Sequence, residues 1–238
     1  MAAEYVYKYK DKNMGGKEMP LPRIGRGTTL TDQAYQAIKN AIITHHLPPN
    51  TFLLEEQLAQ ELGLSRTPVR DALKRLAYER LVVITPNKGA VVSEISAADM
   101  QKIAVIREAL EPLAAGQAAG GAHEEDLAEL AKTLEGQGRA IKDGDYTGYL
   151  QLDCDFHRRV AVATGNELLA DIITNLNTQV QRFLILARNL PEKAPLAVTE
   201  HRIVLDALAA HAAAAAETAM REHLEKVHRR LFDTYAAF

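Results

Sequence analysis

The chain has 238 residues, 47% hydrophobic and 25% charged, with a formal net charge of −3, a composition that suits a globular protein with room for one large or two modest cores. No apolar run approaches the roughly 18 residues of a membrane span, and the N-terminus lacks a hydrophobic signal core. A single cysteine, Cys154, excludes an intramolecular disulfide and fits a reducing compartment, so a cytoplasmic protein is expected.

Residues 1–29 read as a flexible leader, MAAEYVYKYKDKNMGGKEMPLPRIGRGTT followed by the first patterned stretch. From Thr31 to His46, Ala34, Ala37, Ile38, Ala41 and Ile42 recur at helical spacing, with Thr31 as the expected N-cap. LPPNT breaks this helix, and a short helix follows from Glu55 to Leu62, stopped by Gly63. SRTPVRDALKRLAYER starts the next, with Ser65 or Thr67 as cap and Pro68 tolerated in the first turn. LVVIT (81–85) and AVVSEI (90–95) read as two strands around a PNKG turn. After Ser96 the pattern is helical to the end, with breaks near Gly120–Gly121, Gly144, Gly165 and Pro191 to Pro195, giving about six helices. The expected fold is therefore mainly α: an N-terminal winged helix-turn-helix of three helices and a two-stranded β wing (30–96), followed by an all-α helical bundle (97–238).

The acidic total hides a basic block. Between Arg66 and Lys88 stand six positive residues and two acids, a surplus of four, and distribution matters more than net charge for nucleic-acid binding. EEQLAQELGLSRTPVRDALKRL has the layout of a helix-turn-helix, with Leu58, Leu62, Val69, Leu73 and Leu76 on its buried side. Arg66, Thr67 and Arg70 lie at the start of the second helix, where such motifs meet base edges. Lys74 and Arg75, further along, are expected at phosphate or solvent. Lys88 and Gly89 at the wing tip allow close approach to the DNA backbone. An ordinary helical hairpin with a basic surface is the competing reading.

Asp153 and His157, in LQLDCDFHRRVAVATGN, are one helical turn apart on a largely apolar face. They are either a satisfied hydrogen-bonded pair or half of a metal site. His201 has Val198, Val204, Leu205 and Leu208 around its face, and His223 has Ala219, Met220 and Val227. Three inward histidines and an inward aspartate are costly to bury without partners.

LAQELGLSRTPVRDALKRLAYERLVVITPNKGAVV closely resembles the DNA-binding domain of GntR-superfamily transcription regulators, and the resemblance covers about residues 30 to 95. HHLPPN departs from the pattern, because many members carry a glycine on either side of this stretch. Glu56 stands where some members of the FadR type carry a DNA-contacting arginine, and it receives no DNA role. IREALEPLAAGQAA, LDCDFHRRVAVATGN and AMREHLEKV are similar to the all-helical FCD effector domain of the FadR subfamily. In many such domains one Asp and three His hold a divalent metal; the matching residues here are Asp153, His157, His201 and His223. Zn²⁺, Ni²⁺ and Mn²⁺ all suit this ligand set. Arg107 matches a position where these domains often place a pocket arginine, able to pair with an effector carboxylate. A surface salt bridge with Glu108 or Glu111 is the alternative. Asp155 lies on the wrong face for the site, and Cys154 reads as small core filler.

The resemblance implies a ligand-responsive repressor rather than an enzyme. It would be a homodimer reading a palindromic double-stranded DNA operator, and a small carboxylate effector would alter its operator affinity. Three alternatives remain open: the ion itself is the signal, the site is purely structural, or an open metal position activates water as in a hydrolytic enzyme.

Overall fold

The computed structural model describes residues 28–85, 89–185 and 190–235, with side chains to Leu231. Of the expected leader, residues 1–27 lie outside the described residues, while Thr29 already belongs to the first helix. α1 (Leu30–Ile43) is capped by Thr29 and not by Thr31: Thr29 Oγ1 accepts from Asp32 N at 3.0 Å, and Asp32 Oδ2 accepts from Thr29 N at 3.2 Å. Only the three-residue spacing to an acid permits this reciprocal pair, which satisfies two end groups at once.

β1 (Phe52–Leu53), α2 (Glu55–Leu62), α3 (Arg66–Tyr78), β2 (Val82–Thr85) and β3 (Gly89–Val92) complete the first unit. The expected two-stranded wing is the hairpin of β2 and β3, and among the described residues β1 extends it to a three-stranded antiparallel sheet in the order β1-β3-β2. β1 contributes only Phe52 and Leu53, paired with Val91 and Ala90, and two residues are too few to show an alternating pattern. β3 stops at Val92 instead of running to Ile95. Its continuation is diverted because Ser93 donates its hydroxyl to the Arg80 carbonyl at 2.6 Å. Ile38, Ile42, Leu58, Val69, Leu73, Leu76, Leu81 and Val92 close one core between these elements.

Among the described residues six helices follow: α4 (Ala97–Gly121), α5 (Glu124–Lys142), α6 (Tyr146–Val162), α7 (Glu167–Leu184), α8 (Leu190–Ala209) and α9 (Ala213–Tyr235). α4 starts with a second reciprocal cap, Ser96 with Asp99, and packs against α6, α7, α8 and α9, which explains why its sequence is apolar on most sides. Gly144 and Gly165 terminate helices with φ of +73° and +70°, as expected of residues without a Cβ. The expected break over Pro191–Pro195 falls earlier, since both prolines lie inside the first turns of α8. Pro191 sits where the helix has no use for its N–H. Pro112 interrupts α4 internally, and the Glu108 carbonyl it leaves without a helical donor faces Arg221 Nη1 of α9 at 3.5 Å. The alanine-rich stretch is split into α8 and α9 by His211, at φ +51°, whose Nδ1 lies 2.9 Å from the Ala119 carbonyl. No helix among the described residues is long and apolar enough to cross a membrane.

Candidate DNA-binding face and metal centre

The turn between α2 and α3 sets up the first site. Gly63, at φ +64°, ends α2 in the left-handed region, and Ser65 opens α3 two residues later without a side-chain cap bond. Arg66, Thr67 and Arg70 stand exposed on the first turns of α3. Glu55, which carries no sequence signal for this role, holds both arginines from the start of α2. Arg70 donates through Nη2 at 2.7 Å and through Nε at 2.9 and 3.0 Å, and Arg66 Nη2 stands at 3.5 Å. These hydrogen bonds, Arg70's first, hold the Glu55 carboxyl below its ordinary range. The arginine side chains remain 51% and 59% exposed, so the contact is worth about 1 kcal/mol at most.

Arg75 is exposed, as expected, with 49% of its side chain open to solvent, but it also makes contacts within the unit. Its guanidinium lies 3.7 Å from the Tyr35 ring centroid, and Nη1 is 3.2 Å from Asp32, so it braces α1 against α3. Lys74 stays exposed beside Asp71. Gly89 begins β3 at φ +90°, with no atom within 4 Å of the place a Cβ would occupy, leaving the backbone approachable. Lys88 lies outside the described residues.

The second site lies inside the helical bundle. α6, α8 and α9 bring His157, His201 and His223 together, all at most 2% exposed, with one nitrogen of each within 4.8 Å of the others. The His201 and His223 Nε2 atoms are 3.2 Å apart. Each ring is held from outside through Nδ1. His201 Nδ1 meets Gln137 Oε1 at 3.0 Å, and Gln137 is oriented by donating its amide to the Leu152 carbonyl at 3.1 Å. His223 Nδ1 meets Glu200 Oε2 at 2.9 Å. His157 Nδ1 comes within 2.6 Å of Glu111 Oε2, deep in the core.

These anchors decide the chemistry of the centre. Gln137 Oε1 and Glu200 Oε2 can only accept, so Nδ1 of His201 and of His223 carries the proton. The neutral rings then turn two Nε2 lone pairs toward each other at 3.2 Å, an arrangement that needs a cation between them or an added proton. An added proton is opposed by burial, which is the main reason both imidazole pKa values fall below the ordinary range. A divalent ion fits this donor set, three imidazoles each backed by a side-chain acceptor. Asp153 stands at the edge of the group, with Oδ1 3.8 Å from His201 Nε2 and 3.2 Å from the Tyr149 hydroxyl that donates to it. Cys154 takes no part, because burial pushes its thiol pKa up and the sulfur donates to the Asn177 carbonyl.

Arg107 is neither a surface residue nor paired with Glu108. It is 5% exposed, donates to Glu111 Oε1 at 2.6 Å, and lines a cavity of about 50 Å³ beside His157, His223 and Asp153. Burial works against the Glu111 charge, yet Arg107 and His157 hold its pKa far below the carboxylate range. Burial likewise opposes the Glu200 charge, but hydrogen bonds from Arg230 and His223 bring its pKa down to about 2. An inward Arg107–Glu111 pair at i, i+4 among alanines and leucines is a signal the sequence carries; Gln137 and Glu200 have none.

One helix joins the two sites. From α7, Asn177 donates to Glu111 Oε1 at 3.0 Å. Two residues on, Gln179 donates to the Glu79 carbonyl at 2.8 Å. Arg182, only 1% exposed, donates to the Ser93 carbonyl at 2.7 Å and to Gln179 Oε1 at 2.9 Å, and its own carbonyl lies 3.2 Å from His45 Nε2. Desolvation lowers its pKa to about 10, which leaves it charged at neutral pH.

Residues 30–92 match the family described as bacterial regulatory proteins, gntR family, and residues 102–226 match the FCD domain. The HTH-type transcriptional repressor RspR of Escherichia coli K12 is 28% identical over 198 residues, 83% of this chain and 87% of that protein. A protein of Paenarthrobacter nicotinovorans named "Probable D-xylose utilization operon transcriptional repressor" is 30% identical over 199 residues, 83% of this chain and 86% of its own. The solved structure of E. coli McbR/YncC aligns with a TM-score of 0.77 and 26% identity, over 87% of this chain and 99% of that one. These relatives are regulators, which sets aside the hydrolytic-enzyme alternative. The chain belongs to the GntR family of bacterial transcription regulators, its helix-turn-helix domain joined to an FCD domain.

Proposed function

We propose that the chain is a cytoplasmic repressor whose FCD domain holds a divalent ion on His157, His201 and His223, with Asp153 beside it, and binds a small carboxylate there. The carrying observation is the set of outward Nδ1 contacts that leave His201 and His223 Nε2 facing each other at 3.2 Å. When bound, the ion supplies a positive centre for a carboxylate oxygen, and Arg107 supplies a charge at the wall of the same cavity. Arg66, Thr67 and Arg70, with Lys88 and Gly89 at the wing, contact the operator. Repression rests on the names of the relatives. α7 carries the coupling, because the residues that touch Glu111 and those that touch the DNA-binding unit are within five positions of each other.

The test is a melting screen of metal-loaded protein against small carboxylates, since a ligand of the native state raises the midpoint by mass action. A rise of several degrees with one acid, absent after chelation, is the expected result. If metal alone changes operator affinity and no acid shifts the midpoint, the ion is the signal and the carboxylate reading is lost.

The repressor acts as a homodimer, because a two-fold molecule matches a palindromic operator. α4 and α7, which pack together, leave Val105, Ile106, Leu113, Leu168 and Ile172 between 41% and 70% exposed, an apolar surface suited to a second copy. Sedimentation should give a dimer, and Ile172→Glu combined with Leu168→Glu should shift it to monomer with at least tenfold weaker operator binding. A monomeric wild type removes this assignment.

A further inference from the structure

We infer that the cavity beside the three histidines is built for a compact dicarboxylate, with Lys193 receiving its second carboxylate. This deepens the reading of the site as a metal-bound carboxylate pocket and rests on it. Among the described residues the arginines around the cavity are paired, whereas Lys193 is not, and Asp153 meets only the Tyr149 hydroxyl and a neutral imidazole. Arg107 is taken by Glu111 at 2.6 Å, and Arg230 by both oxygens of Glu200 at 2.6 Å. Lys193 lines the same cavity and makes no hydrogen bond or ion pair among the described residues. It is the fourth residue of α8, near the positive end of the helix dipole, where a cation is disfavoured unless an anion comes close. Its neighbour Glu192 is exposed and does not line the cavity.

Charge balance names the ligand class. With neutral imidazoles, Asp153 offsets Lys193, and the two charges of a divalent ion remain. A dianion cancels them, with one carboxylate on the ion and the other at Lys193. A monoanion leaves a charge uncompensated in a half-closed, largely apolar site. Size narrows the class further. About 50 Å³ is room for roughly four waters at about 10–15 Å³ each, which favours the shortest diacids over longer ones.

The test is calorimetric titration of zinc-loaded wild type, Lys193→Met and Lys193→Arg with malonate and succinate, each against the monoacid of equal length, propionate or butyrate. Wild type and Lys193→Arg should bind the better diacid at least tenfold more tightly than its monoacid. In Lys193→Met the two should fall within about twofold, at unchanged zinc content and melting midpoint. Equal binding of mono- and diacids by wild type, or a preference that survives in Lys193→Met, overturns the inference and leaves the carboxylate reading standing. Failure of every acid to bind zinc-loaded wild type sinks both.

Discussion

Wild-type protein loaded with a divalent ion should lose about 10 °C of melting midpoint on chelation, and His201→Ala should lose nothing further. A ligand present at a thousand times its Kd stabilises the native state by about 4 kcal/mol. For a chain of this size each kcal/mol moves the midpoint by about 2–4 °C. His201 is the informative position because it is fully buried and its Nε2 is 3.2 Å from that of His223, so removing it takes away a central donor. Its deletion also leaves a cavity, which lowers the midpoint of the variant by itself. The quantity to compare is therefore the difference between loaded and chelated protein. A wild type indifferent to chelation, with no ion found by elemental analysis, would return the three histidines to the role of hydrogen-bonded core residues.

At the DNA face, Arg66→Ala and Arg70→Ala should each weaken binding to a selected operator fragment by about 1–3 kcal/mol and relax its sequence preference, as expected for arginines reading guanine edges. Glu55→Gln should act in the opposite direction. Both guanidinium groups leave the Glu55 carboxylate before they can meet a base, and an exposed pair of this kind is worth about 1 kcal/mol at most. The gain in the glutamine variant should therefore stay under tenfold, and because freed arginines also meet phosphate, binding to random DNA should rise with it. Fluorescence anisotropy on both fragments measures all three variants. Unchanged affinity in both alanine variants removes α3 as the recognition helix.

The fold was legible because its signals are local. Gly63 before Ser65, Pro68 in a first turn and the leucine spacing of α3 are each decided within a few residues, and the structure places them accordingly. The missing signals belong to contacts between distant segments. β1 has two residues and exists only because β3 offers an edge. Thr29 caps α1 through an acid three positions away, which a search for the nearest threonine to the apolar pattern overlooks. In the bundle, the inward histidines were legible from the apolar residues around them. Gln137 and Glu200, which orient His201 and His223, come from α5 and α8, and no periodicity links them to the rings. Arg75 is the surface charge it reads as, but nothing in its own helix announces the Tyr35 ring on α1 that it also covers.

Arg182 gives the junction between the two units the character of a detent. Its guanidinium is buried against a carbonyl, a hydroxyl and an amide, and among the described residues it has no carboxylate partner and its Nε has no hydrogen bond. Fully docked, the charge has its dipoles; fully parted, it has water. A small rotation provides neither, and a half-solvated cation is the costliest position along the path. On the proposed coupling through α7, such a joint would resist gradual bending, and the DNA-reading unit would be either seated or released.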